Sequence, residues 1–207
     1  MRFTFLDASV GKLSTGGLML LALLASGGCF RHSQSDQFYM LQAADGPAPS
    51  SVGRPGLLVG VGPVRIPAYL DRPQIVMAMS GPEYHLSEEH RWAERLDENI
   101  ARVSAQNLAR FIPTDRILIH PWPREPRPDV QVSLTLEEMH VDPSGQARFE
   151  ALWALRYGKN QVTTRPFSCR QPASTTDYAV VVEAQSQCLT RLNRAIADAI
   201  QGLALTP

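Results

Sequence analysis

The chain has 207 residues, 20 basic and 20 acidic, for a formal net charge of zero. Its arginines are interleaved with carboxylates and no basic run occurs, so nothing marks a nucleic-acid binder. The length suits one domain with a core of its own and is short for two.

Residues 1–28 read as a lipoprotein signal peptide. Arg2 and Lys12 give a positive start, Leu18 to Leu24 an unbroken apolar run, and Ser26, Gly27 and Gly28 are small residues ahead of Cys29. That run is far shorter than the about 20 residues a membrane-spanning helix needs. Cleavage before Cys29 would leave a thiol for a diacylglyceryl group and an amine for an acyl chain such as palmitate. Each buried methylene adds about 0.8 kcal/mol, so several chains together form a lasting anchor. An ordinary secreted protein, or a buried cysteine in an uncleaved helix, would fit the same residues. Ser26 stands where the lipid-attachment box usually has an aliphatic residue. Phe30, in place of an aspartate, points to the periplasmic face of the outer membrane.

Residues 29–37 are polar and aperiodic, a flexible tether, and residues 38–207 form the domain. Phe38 to Leu41 predicts a first strand. Residues 45–55, rich in Pro, Gly and Ser, predict a surface loop. Leu57 to Val64 is a buried strand in which Gly60 and Gly62 flatten or bulge the backbone; the third glycine of a nucleotide loop is absent. Pro67 and Pro73 bracket Tyr69-Leu70-Asp71-Arg72, a turn-like insert before a strand at Gln74 to Met79. Held by prolines, these four residues are candidates for partner contact, because a stiff loop loses little entropy on docking; packing beneath their own loop is the alternative.

After a short strand at Glu83 to Leu86, Ser87 reads as a helix N-cap with Glu88 and Glu89 in the first turn. Trp92, Leu96, Ile100, Val103 and Phe111 then recur at helical spacing, predicting about six turns that stop before Pro113. Ile117 to His120 is strand-like. Residues 121–128 form a proline-spaced extended segment whose Trp122 is a second candidate contact, or a loop aromatic tucked onto the sheet.

Val130 to Leu136 alternates apolar and polar residues, Asp142-Pro143-Ser144-Gly145 is turn chemistry, and Ala147, Phe149, Ala151, Trp153, Leu155 and Tyr157 share one face. A third strand, Val162 to Arg170, completes a meander. From Thr176 onward Val181, Ala184, Cys188, Leu192, Ile196 and Leu203 keep helical spacing, predicting a long C-terminal helix beside the first. The expected fold is a single α+β domain, a mostly antiparallel sheet packed against two long amphipathic helices. Cys169 and Cys188 are a possible disulfide in an oxidising compartment, or two buried thiols.

No motif for nucleophilic or metal-assisted catalysis occurs. His85 and His90, five residues apart, do not share a helical face, so no metal is expected there. Glu137 and Glu138 would point to opposite faces of a strand, and a bulge explains the pair better. The sequence thus predicts no enzyme, no catalytic residues and no cofactor.

Several of these segments together resemble the ABC-type transport auxiliary lipoproteins of the paraquat-inducible, PqiC type. They are Cys29, Phe38 to Leu41, Val61-Gly62-Pro63-Val64, Tyr69 to Arg72, Arg91-Trp92-Ala93-Glu94, Asn107-Leu108 and the strand bearing Trp153. The resemblance implies a small α/β domain on the periplasmic side of the outer membrane. It further implies a partner, an MCE-domain tunnel protein anchored in the inner membrane, for which this lipoprotein would be the dock. Because such tunnels are rings, a homo-oligomer is plausible. A lipid-binding module that itself carries the transported lipid is the competing expectation, motivated by the abundant aliphatics and by Trp92, Trp122 and Trp153. It requires an apolar cavity of a few hundred cubic ångströms.

Overall fold

Alternation of apolar and polar residues builds the centre of the molecule. In this computed structural model, which describes residues 35–45, 56–112, 114–158 and 161–203, strands β6 (Val130–Val141), β7 (Gln146–Tyr157) and β8 (Gln161–Pro172) form the expected meander. Val130, Val132, Leu134 and Leu136 face the core with Ala147, Phe149, Ala151, Trp153 and Leu155. Each large side chain buried this way contributes about 1.5–3 kcal/mol. The β6–β7 turn closes as its composition dictates: Gly145 takes φ 76° and its N–H donates to the Asp142 carbonyl at 2.9 Å. The Ser144 hydroxyl and the Arg148 guanidinium hold the Asp142 carboxyl down at about pKa 2.

Four strands precede the meander, β1 (Gln37–Tyr39), β2 (Val59–Arg65), β3 (Gln74–Ala78) and β4 (Tyr84–Trp92), and β5 (Ile117–Ile119) leads into it. The eight-stranded sheet runs β1-β4-β3-β6-β2-β5, with β7 and then β8 added on the other edge of β6. The long ladders β6–β7 and β7–β8 are antiparallel, as expected. The short pairings β1–β4, β2–β5 and β2–β6 are parallel, so the sheet is mixed. Strands β2 and β3 lie in tandem along one edge of β6, pairing with residues up to Thr135 and with Val141 respectively. The Tyr69 to Arg72 insert fills the interval, where β6 bulges between Leu136 and Glu138. The Tyr69 hydroxyl there accepts from the Met139 N–H at 3.3 Å.

Two helices cover one face, α1 (Leu96–Phe111) and α2 (Tyr178–Gln201). Helix α2 has the expected stripe, with Val181, Ala184, Cys188, Leu192, Ile196 and Ile200 all buried. Asp177 caps it, its carboxylate accepting from the Ala179 and Val180 N–H groups. Helix α1 begins later than the spacing predicted. Ser87, Glu88 and Glu89 lie in β4, and the helix starts at Leu96 with Asp97 and Glu98 in its first turn. The capping chemistry at Ser87 is present but closes a different structure. Its hydroxyl accepts from the His90 N–H at 3.0 Å, across a bulge where β4 has extra residues between the partners of Gln74 and Val76. Trp92 ends that strand, 7% exposed, and extends the helical stripe only by coincidence of spacing.

Candidate docking surface

The segment that follows the expected tether is clamped by both helices. Leu41 is 1% exposed, and its N–H donates to Asn99 Oδ1 of α1 at 2.8 Å. The Gln42 N–H donates to Ser186 Oγ of α2 at 3.0 Å, and the Ala44 N–H to Asn107 Oδ1 of α1 at 2.8 Å. These acceptors are buried polar residues in otherwise apolar stripes, and each is matched to a backbone donor, as burial requires. Asn99 in turn donates to Glu94 Oε1 at 2.6 Å, and the same oxygen accepts from Arg102. Cys29 itself lies outside the described residues.

The Tyr69 to Arg72 insert and the start of α1 come together. Asp71 is exposed, 3.9 Å from Arg95. With Arg72 and the turn around Trp92 it lines a cleft of about 420 Å³. Tyr69 is half-buried, its ring 5.4 Å from that of Tyr84, and burial pushes its phenol up to about 12. Leu70 is corrected from the sequence expectation of a contact residue: at 2% exposure it belongs to the core. Of the four, Asp71 faces solvent and Arg72 is half-buried.

Trp122 lies elsewhere, on the sheet face away from the helices. It fills the hollow above Gly60, where an added Cβ would come within 3.0 Å of the indole and 2.6 Å of Pro128. Gly62 makes equal room for His120, whose ring meets Trp122 edge-on at 5.3 Å. Both glycines therefore let the 120–128 segment cross β2. Gly60 pairs with Gln131 and Gln131 with Arg156, so the three form one cross-strand row. Above that row Trp122, Arg124, Arg127, Arg156 and Tyr157 line a groove of about 580 Å³. The arginines escaped sequence reading because they converge from a loop and a strand some thirty positions apart. Their common register appears only with the strand pairing.

A disulfide joins Cys169 of β8 to Cys188 of α2, with Cα atoms 5.7 Å apart. Chain-entropy arguments assign about 3 kcal/mol to closing a loop of this size. His85 and His90 do not converge: His90 stacks on Tyr178 at 3.9 Å, while His85 is exposed. Among the described residues no three metal-ligating side chains come together, and no helix is long and apolar enough to cross a membrane.

A curled mixed sheet with two helices on one face and a clamped N-terminal strap make a single-domain α+β fold. The chain belongs to the ABC-type transport auxiliary lipoprotein component family, whose model matches residues 39–197. Intermembrane transport lipoprotein PqiC of Escherichia coli K12 is 22% identical over 186 residues, 90% of this chain and 97% of its own. The protein of the same name from Shigella flexneri aligns over the same shares. Two crystal structures show the same fold. One, of an uncharacterized protein, has a TM-score of 0.67 at 20% identity, over 80% of this chain and 99% of that one. The other, from Xanthomonas campestris, has a TM-score of 0.66 at 17% identity, over 79% and 94%.

Proposed function

We propose that this protein is an outer-membrane lipoprotein of an intermembrane lipid-transport system. In this reading it is held on the periplasmic face through acyl chains on Cys29 and docks an MCE-domain tunnel protein reaching from the inner membrane. The end-to-end similarity to an intermembrane transport lipoprotein supports the process. The observation that carries the role is the strap. Residues 37–39 pair with β4 and residues 41–44 are tied to Asn99, Asn107 and Ser186, so a pull on the tether passes through the edge of the sheet to both helices. A dock needs that coupling, because a partner's grip is useful only if the body does not unravel from its anchor.

The carrier reading has less support. Among the described residues the apolar hollow beneath Leu70, Trp92 and Gln185 measures about 10 Å³, room for about one water, and the larger hollows, about 410–580 Å³, are open surface grooves. The test is purification of the full-length lipoprotein from cross-linked cell membranes. An MCE-domain protein should be recovered with it, and recovery of no component of a transport system would contradict the proposal.

A further inference from the structure

The groove above the Gly60–Gln131–Arg156 row has an unbalanced charge. Arg127 lies 3.4 Å from Glu125, and Asp129, whose carboxylate accepts from the Leu58 N–H at 2.8 Å, is the one other negative group among the described residues of the lining, so positive charge remains in excess. Arg124 and Arg156 are exposed and make no ion pair among the described residues. Two guanidinium forks thus stand free over a floor set by strand register. One wall is Trp122, fixed by its seat on Gly60, and prolines 121, 123, 126 and 128 stiffen the segment that carries it.

Arginine forks suit carboxylate and phosphate alike, and aromatic residues with arginine are the side chains enriched at interface hot spots. The surroundings decide between the two anions. A phospholipid lifted from a bilayer would need an apolar cavity for its chains, and this groove is lined largely by polar side chains, Arg124, Arg127, Asp129, Gln131 and Arg156. A bilayer surface would call for a broad cationic field, whereas the chain has a net charge of zero. An extended acidic peptide needs spaced cations along a groove with rigid aromatic and proline walls, which limit the entropy lost on docking. We infer that this groove receives an acidic, extended segment of the partner protein. The inference rests on the docking role proposed above and names the surface that performs it.

The test titrates a fluorescein-labelled peptide of eight glutamates onto the full-length protein in detergent. Binding should be saturable and weaken with salt. It should fall at least tenfold in the double variant Arg124→Glu, Arg156→Glu, and be nearly unchanged in Arg170→Glu, which alters charge on exposed β8. Acrylamide quenching supplies a readout that needs no variant. Trp92 and Trp153 are 7% and 3% exposed, so the quenchable tryptophan is Trp122, and bound peptide should shield it. Absence of peptide binding, or equal affinity in the double variant, would overturn the inference. So would arginine-dependent binding of phosphatidylglycerol vesicles or inorganic phosphate that displaces the peptide. If the wild type still recovers the MCE-domain protein from membranes while this titration fails, the dock stands and its surface lies elsewhere.

Discussion

At Gly60 the missing side chain is the contribution. The indole of Trp122 and the ring of Pro128 occupy the space a methyl group would need, so the crossing of the 120–128 segment over β2 depends on that residue. Gly60→Ala should cost about 1–3 kcal/mol, the usual range for overpacking. Chemical denaturation should show the loss, with a red shift in native-state tryptophan emission as Trp122 is pushed toward solvent. Unchanged stability and emission would mean that the segment is not seated on β2. The sequence made these glycines visible as a flattened or bulged strand, but what they accommodate arrives from sixty residues later and leaves no local trace. Asn99 and Asn107 illustrate the same limit. They interrupt an apolar stripe, and only the strap shows that each is an acceptor waiting for a backbone N–H.

Elements with strong periodicity were legible, and those set by pairing were not. Strands β6 and β7 and helix α2 follow from alternation and from three- and four-residue spacing, because each buries one face of a regular object. The start of α1 was misplaced. Ser87, two glutamates and Trp92 reproduce the local chemistry of a helix entry, yet pairing of Gln37 to Tyr39 with His90 to Trp92 holds that stretch extended. The parallel pairings were likewise invisible, since a parallel neighbour changes no side-chain period. At this scale the strap is the element most open to test. Asn99→Ala strands the buried Leu41 N–H and should cost about 1–3 kcal/mol. Amide exchange should accelerate at Leu41 and in β1, while the β6–β7 ladder keeps its protection. Uniform acceleration across the sheet, or none at Leu41, would show that the strap is not a separate unit.

For the whole molecule, the two halves of the proposed role fall on different surfaces. The strap lies between α1 and α2, on the helical side of the sheet, and the arginine groove lies on the other face, above the Gly60–Gln131–Arg156 row. A body held by one face and free on the other can take load through its sheet, which the disulfide between β8 and α2 closes against fraying. Every part of that reading presupposes that the chain is fixed to a membrane ahead of the strap. The most direct measurement is the intact mass of the protein extracted from cell membranes. A mature chain beginning at Cys29 and carrying a diacylglyceryl group with a further amide-linked acyl chain is the predicted result. A chain beginning elsewhere, or an unmodified Cys29, would contradict it.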